Sequence, residues 1–187
     1  MPVNRRALLA GPIFALCGVA LLPSSAQAEG SYEINQDVTA ALSNLYSSTP
    51  AAVQLSQKAE GILVFPHIIK AGFLFGGEFG VGALRQRGQT AGYYNIAAAS
   101  YGLQIGVQSF GYALFLMNGK AMSFLNSQGG WQVGVGPSVV VMDEGMARSF
   151  TTATQLEDVY AFTFSQEGLM AGMGIQGSKI TPYTPDD

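Results

Sequence analysis

Apolar residues along the middle of the chain form short runs that are separated by single and paired glycines. The stretch covers residues 60–107 and reads EGILVFPHIIKAGFLFGGEFGVGALRQRGQTAGYYNIAAASYGLQIGV. A two-residue period is clearest over residues 101–107, where Gly102, Gln104 and Gly106 share one face of a predicted strand. Glycines on one face permit close approach of a neighbouring backbone and sharp coiling. We therefore predict a tightly curved antiparallel sheet, and we expect the Gly102/Gly106 face to pack closely against another element.

A period of three to four residues precedes this stretch and predicts helices. Apolar residues recur on one helix face from Glu33 to Tyr46. Thr49 as N-cap, with Pro50 at the first helical position, predicts a second helix through about Ala59. The order of elements predicts an α+β fold, with N-terminal helices packed on a strongly curved, barrel-like antiparallel sheet rich in glycine and about seven to nine strands.

Turn residues divide the predicted sheet. Pro66 is expected to end the first strand, Gly76-Gly77 to join the next two, and residues 85–89 to form a polar turn. Strands are then expected over residues 101–108 and 112–117, followed by a short helix over residues 120–127. The chain is expected to finish as a hairpin whose turn is residues 166–168.

Residues 1–28 have the pattern of a bacterial export signal, and we expect one domain over residues 29–187. Arg5-Arg6 precede an apolar run, and Ala26-Gln27-Ala28 forms a small-x-small cleavage site. The run is shorter than the roughly 20 residues of a membrane span. The protein is therefore expected in the periplasm, at the membrane surface or free of it. The paired arginines also match a loose twin-arginine pattern, so the export route stays open.

Composition and charge exclude several classes of protein. Of the 187 residues, 48% are hydrophobic and 11% charged, which is typical of a folded chain. The formal charge is −3, and removal of Arg5 and Arg6 leaves 7 basic against 12 acidic residues, or −5. That balance gives no general attraction to nucleic acid, and we expect no nucleic-acid partner. The only cysteine is Cys17, within the predicted leader, so the rest of the chain has no thiol chemistry.

The residues that carry enzyme chemistry are sparse. His67 is the only histidine, and its position after Pro66 in an apolar stretch predicts a turn residue more than a base. The acidic pairs 143–144 and 157–158 are expected to be solvated loop charges, with helix capping as the alternative at 157–158. The glycines of residues 76–82 lack the order and the following helix of a phosphate-binding loop. We expect a protein that is not an enzyme and that holds no metal and no cofactor.

Two long blocks of the sequence resemble the SYLF domain. They are AEGILVFPHIIKAGFLFGGEFGVGAL and TAGYYNIAAASYGLQIGVQSFGYALFLMN, and the resemblance extends over about residues 37–180. SYLF domains occur in exported bacterial proteins and in eukaryotic proteins of membrane traffic and actin patches. The resemblance implies binding to phosphoinositides and other acidic phospholipids.

Two hypotheses of function follow from the residues and the resemblance. The first is a non-catalytic domain that binds acidic lipid peripherally at the cell envelope. Its candidate contacts for lipid head groups are the basic residues Lys70, Arg85 and Arg87. Its candidate apolar anchors are Phe73, Phe75 and Phe79, and the alternative interpretation of these phenylalanines is that they are core residues. We expect the basic residues to share one rim of the sheet; the rival arrangement pairs Lys70 with Glu78. The second hypothesis is an envelope-scaffold domain with a protein partner, which the acidic charge and the lack of Lys or Arg in residues 31–57 favour.

Overall fold

The computed structural model describes residues 30–73, 75–101, 106–142, 147, 157–168 and 177–186. These residues contain three named helices and eight strands, which confirms the α+β prediction. In chain order they are α1 (Ser31–Ser48), α2 (Pro50–Ser56), β1 (Gly61–Phe73), β2 (Phe75–Gln86), β3 (Gln89–Tyr101), β4 (Gly106–Leu116), α3 (Gly119–Leu125), β5 (Trp131–Gln132), β6 (Val139–Met142), β7 (Val159–Gly168) and β8 (Lys179–Tyr183).

The strands form one sheet in the order β5-β8-β3-β2-β1-β4-β7-β6. The described pairs are antiparallel except β6 with β7, which is parallel, so the sheet is mixed and the prediction of a purely antiparallel sheet was wrong at this edge. Residues 143–158 separate β6 from β7 along the chain, and a parallel pair requires a dozen or more residues between its strands.

The sheet is strongly curled. β5 and β6 lie at opposite edges, yet only residues 133–138 separate them along the chain. A flat sheet of this order would hold its edge strands about 34 Å apart, at roughly 4.8 Å for each neighbouring pair. The connection spans at most about 25 Å, at roughly 3.6 Å per residue. The two edges must therefore approach each other, as in a half-barrel.

Each face of the curled sheet buries its own apolar cluster. The inner face collects side chains from both edges and the middle, and α3 packs into the same cluster: Leu63, Phe65, Ile68, Leu84, Ile96, Phe110, Tyr112, Leu125, Trp131 and Ile180. The outer face packs against α1 and α2 through a second cluster: Ile34, Val38, Leu45, Leu55, Ile62, Val64, Ala83, Ala113, Phe115 and Phe162. Neighbouring residues of β4 alternate between the two clusters, as the period of a strand requires.

Several strand boundaries differ from the prediction. β1 continues through Pro66, because the register of β1 shifts against both neighbours there and a bulge tolerates a residue without an N–H. β1 ends at Phe73 and β2 begins at Phe75, so Gly76-Gly77 are inside β2 and do not join two strands. Tyr101 belongs to β3, β7 extends through residues 166–168, and β8 was not predicted at all.

The expectation for the glycine face was wrong at Gly106. A Cβ built there has no atom within 4 Å, so no element packs closely against this position. The glycine is needed for a different reason, since its φ of 138° lies where side chains are rarely accommodated. Gly102 and the predicted leader lie outside the described residues. Among those residues, no helix is long and apolar enough to cross a membrane.

Candidate functional site

A group of large apolar side chains is exposed on the outer face of the sheet. We call it the outer patch: Ile69, Phe75, Phe79 and Val107, with exposed fractions of 57%, 71%, 53% and 63%. Isolated apolar side chains are common on protein surfaces, but contiguous ones mark contact with a partner or a membrane. The outer patch is therefore the surface of the described residues that most needs a functional explanation.

The strand register shows that the outer patch is contiguous. Phe79 lies directly opposite Ile69, and Ala71, two residues further along β1, lies opposite Val107. Phe75 is four residues before Phe79 and so shares its face. Ala71 and Gly77 between these side chains and Ala97 beside Phe79 are small residues, so the large side chains project beyond them.

The helices leave the outer patch uncovered. α1 and α2 pack on the outer face through Ile62, Val64 and Ala83, which lie toward the β2–β3 hairpin. The patch begins beyond the bulge at Pro66 and extends to the β1–β2 hairpin. Helical cover therefore ends where the exposed apolar side chains begin.

Among the described residues, the row of cross-strand partners through the outer patch carries one charge of each sign. The row through Phe79 and Ile69 includes the exposed Lys179 on β8 and Glu167 on β7. One cation and one anion on opposite sides of the patch give little net field. Contact at this surface is therefore governed by its apolar side chains.

Lys70 does not lie on the outer patch. It is only 8% exposed on the inner face, where its cross-strand partners are the buried Glu78 on β2 and Gln108 on β4. A lysine in that position cannot present its ammonium group to a head group at the protein surface. Lys70 and Glu78 stand directly opposite each other, as the rival arrangement expected.

Lys70 belongs to a buried polar row at one end of the inner face. Ser178 donates a hydrogen bond to a carboxylate oxygen of Glu78, and the pKa of Tyr112 is raised well above its usual value by burial and, secondarily, by the charge of Glu78. The opposite charges of Lys70 and Glu78 lie on neighbouring strands of a desolvated face and attract each other. This row fixes the pairing of β1, β2 and β4 and faces away from the outer patch.

Arg85 holds α1 to the sheet. Its guanidinium donates to the Thr90 hydroxyl at 2.6 Å, to the Asn35 carbonyl at 2.9 Å and to the Thr39 hydroxyl at 3.0 Å. Arg85 lies opposite Ile62, eight residues before Lys70 along β1, or about 25 Å away. The expectation that the three basic residues share a rim was therefore wrong.

Arg87 lies at the tip of the β2–β3 hairpin. Its φ of 51° and the φ of 79° at Gly88 give the two left-handed residues of a type I′ turn, which confirms the polar turn. Arg87 is exposed at the end of the sheet opposite the outer patch. Phe73 ends β1 beside Phe75, but its side chain lies outside the described part of the chain.

His67 is a strand residue, so its prediction as a turn residue was wrong. It lies in β1 after the bulge, with Nε2 4.0 Å from a carboxylate oxygen of Asp37 on α1. Within the described residues, no group of three metal-ligating side chains comes together.

Sequence reasoning selected Phe75 and Phe79 but missed Ile69 and Val107. Ile69 precedes Lys70 in an apolar run, and Val107 lies in the predicted strand over residues 101–108. The signal for Ile69 is the bulge at Pro66, which moves Ile69 to the outer face and Lys70 to the inner one.

Comparison with known proteins identifies the second half of the chain. Residues 97–186 match the family model Ysc84, described as "Las17-binding protein actin regulator". This is the model of the SYLF domain. The match is consistent with a role in lipid binding or in binding related to actin regulation. No curated protein matches the chain.

Proposed function

Residues 97–186 match the SYLF family model, and from that premise we propose that the chain is a non-catalytic protein that binds membrane lipid through the outer patch. The observation that supports the proposal most directly is the contiguous exposure of Ile69, Phe75, Phe79 and Val107. The predicted leader would deliver such a protein to the periplasmic surface of the bacterial envelope.

The free energies expected for the two kinds of lipid contact favour insertion of apolar side chains over attraction to head groups. Full burial of a Val, Ile or Phe side chain contributes about 1.5–3 kcal/mol, and these side chains are already partly covered, so each would add roughly 1–2 kcal/mol on entering a bilayer. A basic residue near an anionic surface adds only about 1 kcal/mol and is screened by salt. With Lys179 opposed by Glu167, the apolar contribution is the larger. Acidic phospholipid, including phosphoinositide-type lipid, would then strengthen binding modestly without being required.

Vesicle flotation tests the proposal. The Phe75→Ser/Phe79→Ser variant is expected to float with phosphatidylglycerol-containing vesicles at least about tenfold less than the wild type, because about 2–4 kcal/mol of insertion is removed. Tyr32→Ser is the matched control, because Tyr32 on α1 is 72% exposed, as Phe75 is 71% exposed, but lies outside the patch. Raising the salt concentration is expected to change wild-type flotation little.

Three results would contradict lipid insertion. They are wild-type protein that stays with the unbound fraction, a patch variant that floats as well as the wild type, and flotation lost in proportion to added salt. Circular dichroism of each variant shows whether it is folded, so that a loss of flotation is distinguished from unfolding.

The alternative is that the same patch docks an envelope protein. The family's printed description as a protein-binding regulator favours it. Flotation with pure lipid separates the two functions, because a protein-docking patch needs a second protein and gives no flotation on lipid vesicles alone.

A further inference from the structure

We propose that a groove at the other end of the sheet is a second binding site, one that takes a hydroxyl-rich anion from the aqueous phase. The groove lies between α1, α2 and the β2–β3 hairpin and has a volume of about 690 Å³. That is the size of pockets that bind small molecules. It lies outside the outer patch and shares none of its residues.

The lining of the groove selects for an anion with hydroxyl groups. Two guanidinium groups and four hydroxyl groups border it: Arg85, Arg87, Thr39, Ser43, Tyr46 and Ser56. Leu42 and Ile62 supply apolar surface beside them, and none of the described lining residues is acidic. Guanidinium groups bind phosphate and carboxylate in a fixed fork, and hydroxyl groups donate to and accept from a polyol. A sugar or polyol that carries phosphate or carboxylate matches this combination.

Arg85 is held ready for such a ligand. Its three hydrogen bonds to Thr90, Asn35 and Thr39 use three of the five N–H groups of a guanidinium, and two remain. The guanidinium is therefore oriented before any ligand arrives, and less side-chain entropy is lost on binding.

Arg87 supplies a second cation from the hairpin tip. The type I′ turn formed with Gly88 fixes its backbone, while its side chain is exposed. Only three arginines follow residue 28 in the sequence, and two of them border this one groove of an acidic protein. A ligand anion would therefore be drawn to this end of the molecule.

The position of the groove favours a soluble ligand over a lipid head group. Along β2, Phe79 and Arg85 are six residues apart, or about 20 Å, and Phe75 and Arg85 about 34 Å. The head-group layer of one leaflet is only about 5–8 Å thick. α1 and α2 stand on the outer face between the two sites, so the sheet cannot lie flat against a bilayer. A membrane that receives the outer patch leaves the groove in water.

Calorimetric titration with glucose 6-phosphate, and with glucose as the uncharged control, tests the proposal. Arg87→Asn is the informative variant, because Asn-Gly is a preferred type I′ pair and the turn is retained. It is expected to weaken glucose 6-phosphate binding about tenfold, the effect of losing one charge-assisted contact. Lys58→Gln is the matched control. It also removes one positive charge, and Lys58 follows α2 in the sequence but does not line the groove.

Flotation of Arg87→Asn distinguishes the two sources of the anion. The variant is expected to float with phosphatidylglycerol vesicles as the wild type does. The proposal is overturned if glucose 6-phosphate does not bind, if glucose binds equally well, if Lys58→Gln weakens binding as much as Arg87→Asn, or if Arg87→Asn also reduces flotation. The first three results concern the groove alone, whereas reduced flotation of Arg87→Asn would assign Arg87 to lipid head groups; insertion itself is measured with Phe75→Ser/Phe79→Ser.

Discussion

Lys70 and Ile69 lie on the opposite faces of β1 from those that an uninterrupted alternation of side chains would give them. Ile62 and Val64 lie on the outer face of β1, so uninterrupted alternation would place Lys70 outside as well. The bulge at Pro66 shifts the register by one position, which sends Lys70 inward and Ile69 outward. Sequence alone shows the proline, but it does not show that the strand continues past it.

The buried position of Lys70 makes a prediction about stability. Lys70→Met is expected to reduce the free energy of unfolding by roughly 2–4 kcal/mol, because Glu78 then remains buried without its cross-strand cation. The Lys70→Met/Glu78→Leu double variant should recover much of that loss. Urea denaturation measures both. Equal stability of Lys70→Met and the wild type would show that the lysine does not compensate Glu78.

Substitutions at two strand glycines test whether Gly106 is needed for its backbone conformation. Gly106→Ala is expected to reduce stability by about 1–2 kcal/mol because of its φ of 138°, although the site has space for the side chain. Gly77→Ala is the control, since its Cβ would meet only the Ala98 carbonyl oxygen, at 3.7 Å, and it should change stability little. Thermal denaturation compares the two. If both substitutions reduce stability equally, the positive φ of Gly106 is not the reason that a glycine is needed there.

Asp158 predicts how stability depends on pH. Lys120, Asn118 and the Ser138 amide donate to its carboxylate at 2.7, 2.8 and 3.0 Å, and these hydrogen bonds hold its pKa well below the usual value. The prediction that it is a solvated loop charge was therefore wrong, since its side chain is only 17% exposed and it joins the start of α3 to β6 and β7.

Because the folded pKa is lower than the unfolded one, the stabilisation is present above about pH 4 and is lost as the pH falls through the folded value. The urea midpoint of the wild type should fall more between pH 5 and pH 2 than that of Asp158→Asn. Parallel pH profiles for the two proteins would contradict this assignment.

At the scale of elements, periodicity predicted the helices and most strands, and it failed where long-range pairing decides. β8 was missed because five residues that include Pro182 have little strand character of their own, and they pair only with β3 and β5. Packing of the N-terminal helices on the sheet was predicted, but the polar contact of α1 with Arg85 was missed, since Asn35 and Thr39 are polar positions of a helix that meets Arg85 some 50 residues later. Contacts of that kind leave no local pattern in a sequence.

The contact between α1 and the β2–β3 hairpin predicts a further loss of stability. Arg85→Ala is expected to cost about 1–3 kcal/mol and to increase amide hydrogen exchange in α1, because two hydrogen bonds to α1 and one within the hairpin are removed. Arg85→Lys should not restore protection, since an ammonium group cannot reproduce the fork. Unchanged exchange in α1 would mean that its apolar face alone holds the helix.

At the scale of the molecule, the sequence predicted the class of the fold, the family and two of the four exposed side chains of the outer patch. It did not predict that the candidate residues separate toward two ends of one sheet, with Lys70 inside it. That separation depends on a single bulge and on where the helices stop. We therefore propose apolar contact at one end of the sheet and anion recognition at the other.

The most direct measurement places an environment-sensitive fluorophore in the middle of the outer patch. In a Cys17→Ser background, Gly77→Cys carries the label without replacing any of the four apolar side chains, and Lys58→Cys carries it at the other end of the molecule. On addition of phosphatidylglycerol vesicles, the label at residue 77 should shift to the blue and be quenched by a lipid-soluble quencher. The label at residue 58 should do neither. No change at residue 77, or equal changes at both positions, would contradict membrane contact through the outer patch.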